Sequence, residues 1–233
     1  MHDDHDDHHH GHDHDHDHDH DHPHAPAADD PAPPTEARLL EQALRELLIE
    51  KGVISAQMVQ RQIDTMDSRN PALGAKIVAR AWTDEAFKRE LIASPLKTLE
   101  RETGIGMIVA GMPDLRIVEN EPGIHNVVVC TLCSCYPRML LGIPPAWYKA
   151  PDYRARVVRE PRAVLAEFGL ELDAETEIRV HDSTADLRYL VIPERPAGTE
   201  GWDLESLAAL VTRDCMIGVT RPELPGAASG QSA

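Results

Sequence analysis

The sequence predicts an α+β protein in which a helical N-terminal arm precedes a layered domain of short strands interleaved with helices. Three observations carry that reading. Amphipathic stripes of helical period run from Thr35 to about Gly104 before any strong strand signal. Short β-branched or alternating runs follow at Leu115 to Glu119, His125 to Cys130, Glu177 to Val180 and Leu187 to Ile192, with Pro- and Gly-bounded helical stretches between them. Three of the four cysteines then fall within six residues, directly behind the apolar run Val127-Val128-Val129.

Residues 1–24 hold twelve of the fourteen histidines and nine aspartates, largely alternating. No core can form from such a segment, so disorder is expected. Neutral imidazoles beside carboxylates bind Co, Ni or Zn weakly. Two readings stand level: a tail that collects metal, and a solvating tail whose metal affinity is incidental. Ala25 to Pro34 reads as a stiff Pro/Ala linker, completing a first segment of residues 1–34.

Thr35 to Lys51 is expected as an amphipathic helix, with Thr35 as cap, a stripe of Leu39, Leu40, Ala43, Leu44, Leu47 and Leu48, and Gly52 as its end. Ser55 caps a second helix through Met66, and Pro71 to Trp82 forms a third. Thr83 is read as the cap of Asp84 to Ala93, and Ser94-Pro95 starts a helix stopping at Gly104. This helical arm, residues 35–104, either folds on its own core or clasps a partner. Gly104 to Pro113 is loop. The next two strands are joined by a turn at Asn120 to Gly123, and His125 is expected as a satisfied structural residue. Short helices follow at Pro145 to Lys149, Asp152 to Arg159 and Pro161 to Phe168. A strand–turn–strand pair lies around Asp182 to Asp186, a helix at Asp203 to Arg213, and a last strand at Cys215 to Val219. Residues 105–221 are expected to form the domain that carries the cysteine loop, and 222–233 a frayed end.

The net charge is −17, and the nine tail aspartates account for all but −8 of it, which argues against nucleic acid. No apolar run approaches the length of a membrane span, and no signal peptide is expected. Cysteines gathered in one loop do not form a disulfide framework, so a cytoplasmic location is expected.

Cys130-Thr131-Leu132-Cys133-Ser134-Cys135 is the chemical focus. Cys130 and Cys133 alone are spaced like half a zinc knuckle. Cys135, two residues on, carries the amides of Ser134 and Cys135 toward the same metal. A trivalent ion could take both nitrogens and three sulfurs, leaving one octahedral corner for water, whose acidity it would raise. A structural zinc site including Cys215, and buried free cysteine, are the plainer alternatives.

The hexapeptide resembles the metal claw of the nitrile hydratase α-subunit family, which includes the thiocyanate hydrolase γ-subunit. The likeness runs from about Leu39 to Val219 and takes in Leu141-Gly142-Ile143-Pro144-Pro145-Ala146-Trp147-Tyr148-Lys149. It implies an α-β-β-α layered domain and a non-corrin Co(III) centre, with Fe(III) the lesser alternative. The ligands it implies are Cys130, Cys133, Ser134 and Cys135. Cys133 becomes a sulfinic and Cys135 a sulfenic acid, held by partner arginines. Thr131 resembles the cobalt branch, where iron enzymes carry Ser. The implied activity is hydration of a nitrile to an amide, with Cys135, Ser134 and Arg138 as catalytic candidates. The implied partners are one or two β-type chains in a heteromer, a small substrate and a metallochaperone.

The chain also departs from the hydratases. Arg138 stands after Tyr136-Pro137 where most carry Trp, and a fixed cation there suits an anion. Together with Thr212-Arg213-Asp214-Cys215, it resembles the γ-subunit and implies thiocyanate as the alternative substrate. His181 replaces a common Trp, and Gly111-Met112-Pro113 a usual Gln-Gly-Glu. Arg154, Arg156, Arg159 and Arg162 form a basic cluster, either a solvated face or a partner for carboxylates and oxidised sulfurs. A non-catalytic metal-binding protein is the remote third reading.

Overall fold

The computed structural model describes residues 35–104 and 113–226. The His/Asp tail, the Pro/Ala linker, most of the Gly-rich loop and the last seven residues lie outside the described residues. Five helices come first: α1 (Thr35–Glu50), α2 (Ala56–Asp67), α3 (Pro71–Thr83), α4 (Glu85–Ala93) and α5 (Pro95–Thr103). Strands β1 (Asp114–Glu119) and β2 (Ile124–Val129) follow. Then come α6 (Arg138–Leu141), α7 (Ala146–Lys149), α8 (Pro151–Arg159) and α9 (Pro161–Glu167). Strands β3 (Glu177–Asp182) and β4 (Leu187–Ile192) precede α10 (Leu204–Leu210) and α11 (Arg213–Ile217).

The helical stretch 35–104 divides by burial. α1 buries no residue, and Leu40 and Leu44 are 64% and 58% exposed. α3 buries Ala75, Ile77, Val78, Ala79 and Ala81, and packs on α6, α10 and α11. Its Pro71 sits in the first turn behind an Asn70 cap that accepts from the Ala72 amide. α4 and α5 continue onto β1. Asp84, rather than Thr83, caps α4 by accepting from the Phe87 amide, because Thr83 still belongs to α3 and returns its hydroxyl to the Ala79 and Arg80 carbonyls.

The strands do not pair across their own turns. β1 pairs in parallel with β4, and β2 in parallel with β3, in two two-stranded sheets that meet through β2 and β4. A turn of four residues suits a hairpin, yet β1 and β2 do not pair, and the turn between them holds only an isolated bridge from Glu121 to Ile124. β2 is buried along nearly its whole length, as a strand covered on both faces must be. α4 and α5 pack on β1, α11 packs on β4 and β2, and α9 lies against β3.

Cys215 to Val219 is not a strand. Thr212 caps α11 by accepting from the Cys215 amide, and Gly218 closes it in the left-handed region at φ +90°. A short apolar run fits either element, and here the caps decide it.

Candidate metal centre

β2 ends at Val129, and the claw loop begins at the next residue. The strand anchors it: the Ser183 amide donates to the Val129 carbonyl at 2.7 Å, and the buried Tyr153 hydroxyl to the Val128 carbonyl at 2.7 Å. Tyr148 donates to the Cys135 carbonyl at 2.9 Å. Burial pushes both phenols far above their ordinary pKa, so they stay donors. Tyr148 and Tyr153 sit with Trp147 and Phe168 in an edge-packed aromatic cluster that holds them still.

A second restraint comes from β3. Asp182 accepts from the Thr131 amide at 3.0 Å and from the Thr131 hydroxyl at 2.6 Å. One carboxylate thus grips the second residue of the claw twice.

The loop turns Cys130, Cys133 and Cys135 inward, with all three sulfurs within 4.8 Å of one another. Cys130 to Cys133 is 3.4 Å and Cys133 to Cys135 is 3.1 Å, sulfur to sulfur. Sulfurs bound at about 2.3 Å stand about 3.3 Å apart on adjacent octahedral corners and about 3.8 Å apart on a tetrahedron. The spacing fits the octahedron better. Cys130 and Cys135 are buried and Cys133 is exposed.

Burial raises the Cys135 thiol to about 12, although Arg188 nearby opposes the rise. Hydrogen bonds from Cys135 and Cys130 lower Cys133, helped by the Ser134 and Cys135 amides. Those two amides thus lie beside the Cys133 sulfur, and the Cys133 amide donates to the Cys130 sulfur at 3.2 Å. Cys215 stands apart between the Thr212 and Thr220 hydroxyls at 3.1 and 3.4 Å, and is no fourth member of the group. A closed four-thiolate zinc site is not assembled among the described residues. Three convergent sulfurs with two amides beside them do fit a ligand-rich trivalent ion.

The claw opens on a cavity of about 420 Å³. Cys133, Ser134 and Cys135 line one end, Leu96, Leu99 and Leu140 give it apolar walls, and Arg69, Arg138 and Arg188 also line it. Arg138, read from sequence, lines this same cavity and is exposed. Asp182 and Arg188 look like ordinary turn or strand residues until the β2–β3 and β1–β4 pairings bring them in, and Arg69 like a plain interhelix residue until α3 packs on α6.

The basic cluster of α8 and α9 is mostly spent elsewhere. Arg156 pairs with Glu160 and Glu167, and Arg162 donates to the carbonyls of Leu172, Asp173 and Thr176. Arg154 alone reaches the claw, with Nη1 3.5 Å from the Cys133 carbonyl and a buried Nε that has no partner among the described residues. His125 is structural, accepting from Asn120 at Nδ1 (3.2 Å) and donating from Nε2 to the Gly218 carbonyl (2.7 Å).

Fold and site together define a metal-binding α+β protein whose donors sit on a loop leaving a parallel strand. The chain belongs to the family described as nitrile hydratase, alpha chain, whose model matches residues 35–220. It is 50% identical over 190 residues to the low-molecular weight cobalt-containing nitrile hydratase subunit alpha of Rhodococcus rhodochrous, covering 80% of this chain and 89% of that one. It is 46% identical over 209 residues to the thiocyanate hydrolase subunit gamma of Thiobacillus thioparus, covering 84% and 85%. A mutant Fe-type nitrile hydratase from Comamonas testosteroni Ni1 superposes with a TM-score of 0.77 at 42% identity, covering 83% of this chain and 94% of that one. Among the described residues, no helix is long and apolar enough to cross a membrane.

Proposed function

We propose that this chain is the metal-bearing α-type subunit of a cobalt nitrile hydratase, adding water across a C≡N bond to give an amide. The observation that carries the reading is three sulfurs at octahedral spacing, opening on a small apolar-walled cavity. Cys130, Cys133 and Cys135 would hold non-corrin Co(III) through sulfur, and Ser134 and Cys135 through main-chain nitrogen. When bound, the ion would supply Lewis acidity toward the nitrile. Thr131, together with the cobalt-containing relative, supports cobalt over iron.

The chain's own residues do the rest. Asp182, Tyr148 and Tyr153 fix the loop so that no donor has to reorganise as substrate arrives. The apolar walls exclude bulk water and leave space for a small nitrile. Oxidised to the sulfenic acid, Cys135 would serve as base or nucleophile toward the nitrile carbon. Arg138 shapes the cavity at the first residue of α6.

The exposed leucine stripe of α1 supports a heteromer in which the helical arm clasps a β-type partner. A metallochaperone would load the claw, and the His/Asp tail would raise local cobalt.

A second reading is favoured by Arg138. As a thiocyanate hydrolase γ-type subunit the chain would convert thiocyanate and two waters to carbonyl sulfide, ammonia and hydroxide, with Arg138 steering the anion. The test is metal analysis and turnover by the assembled heteromer. Cobalt with hydration of acetonitrile or acrylonitrile supports the first reading, and thiocyanate turnover alone supports the second. Zinc without either activity defeats both and leaves a non-catalytic metal-binding protein.

A further inference from the structure

Three arginines line the claw cavity, and they come from three separate parts of the chain. Arg69 lies in the α2–α3 connection, Arg138 opens α6, and Arg188 lies on β4. Asp114 is the single carboxylate among the lining residues, and its Oδ1 already accepts from the Leu115 amide at 2.9 Å. Neither Arg69 nor Arg138 has a side-chain hydrogen bond or ion pair among the described residues, and Arg188 has only a 3.5 Å contact from Nη1 to the Leu187 carbonyl. Each guanidinium carries five donors in a planar fork. A neutral nitrile uses none of them, since its apolar body needs only the leucine walls. Guanidiniums with unused donors beside apolar walls, in a cavity of about 420 Å³, match a small ligand carrying its own negative charge.

Resting on the nitrile-hydrating reading of the same site, we propose that the preferred substrates are small anionic nitriles, a C≡N group tethered to a carboxylate. The carboxylate is taken by Arg69 and Arg138, which leaves the C≡N directed to the claw. Cyanoacetate is the smallest organic example. Water adds across its C≡N bond, oxygen going to carbon and both hydrogens to nitrogen, and yields malonamate with the carboxylate unchanged. No oxidant, reductant or second reactant is needed. Arg188, on β4, lines the same cavity and adds a third positive charge to it.

The experiment compares cyanoacetate with propionitrile, a neutral molecule of similar size, on the cobalt-loaded heteromer. Binding is read by calorimetry and turnover separately by amide release. Cyanoacetate is expected to bind roughly tenfold tighter or better at low ionic strength, as one charge-assisted hydrogen bond allows. The preference should shrink as salt shortens the screening length. Arg69→Gln and Arg138→Gln should each erase most of it, and Arg138→Lys should restore part, because charge returns without the fork. Cobalt content and heteromer size serve as the folding check on each variant.

Equal or weaker binding of cyanoacetate than of propionitrile overturns the proposal. So does an anion preference indifferent to salt and to both substitutions. Arginine-dependent binding of cyanoacetate without turnover of either nitrile keeps the anion site and defeats the hydratase reading. Propionitrile turnover without anion preference does the reverse. Thiocyanate turnover with cyanoacetate neither bound nor hydrated restricts the cavity to the inorganic anion and also overturns the proposal.

Discussion

At the scale of single residues, Asp182 and His125 show how the claw is held by groups that touch no reactant. Asp182 receives two hydrogen bonds from Thr131, and removing such an outer support commonly costs 10- to 100-fold in metal affinity or activity. Asp182→Ala is expected to lose cobalt about tenfold faster to a chelator while its melting temperature changes little, since Asp182 is exposed. Thr131→Val, which removes only the hydroxyl bond, should lose it by a smaller factor. Metal released over time to a colorimetric chelator separates the two. His125 gives a pH signature. Its Nδ1 must stay bare to accept from Asn120 while Nε2 donates to Gly218, and burial lowers its pKa below the ordinary 6.5. The unfolded chain therefore takes up this proton first as pH falls. Stability from His125 is complete above about pH 6.5 and declines below it. The half-buried His181 adds in the same direction, lowered by burial and by Arg179 and Arg116. Denaturant midpoints should fall between pH 7 and 5, with a shallower slope in His125→Leu. Sequence alone gave His125 its structural role, and the three sulfurs their convergence, because both follow from residue type and spacing. Asp182 and Arg69 stayed hidden because their importance comes from chain pairings far away in sequence.

At the scale of elements, existence was more legible than partnership. Period and caps placed α3, α4 and α5 within a residue or two, and β-branched or alternating runs found the four strands of the described residues. Strand pairing was not readable, since a period of two says which face is buried and nothing about the neighbour. The uninterrupted burial of β2 is the physical trace of a parallel pair covered on both faces, and its Val127 to Val129 run carried that signal. The α11 segment misled because the apolar residues Cys215, Met216, Ile217 and Val219 suit strand and helix equally, while the deciding feature, Gly218, is a backbone requirement. Gly218 sits at φ +90°, and a Cβ there would stand 2.0 Å from the Asn126 carbonyl oxygen on β2. Gly218→Ala must therefore displace the strand that carries the claw. It is expected to cost about 3 kcal/mol or more, in the range of severe single substitutions. Gly169 has φ +78° with nothing near its missing Cβ, so Gly169→Ala should cost only the left-handed backbone penalty of about 1 to 2 kcal/mol. Equal losses in the two variants, measured by urea unfolding, would remove the clash from the account.

At the scale of the whole molecule, α1 and α2 do not share in the core that α3 begins. Leu39, Leu40, Leu44 and Leu47 lie along α1 and Met58 and Ile63 on α2, all of them exposed. An isolated helix of sixteen residues with this composition is marginal in water, and its stability has to come from packing its stripe on something. Among the described residues the body does not bury this stripe, so in the heteromer proposed above it is where a partner chain would gain most from binding. Charge on that stripe should then act on assembly and leave the fold alone. Leu40→Asp with Leu44→Asp is expected to keep the body's melting transition within about 1 kcal/mol, since surface changes seldom exceed that. The same pair should abolish co-purification with the partner subunit, because two buried charges without counter-ions cost far more than one contact returns. Light scattering after size-exclusion reads the assembly state directly. The expected result is a monomer that retains its fold and has no hydratase activity. A variant that still assembles would mean that α1 lies free in the heteromer, and the clasp would have to be sought on another face. A variant that is monomeric and fully active would mean that the claw cavity is complete within one chain.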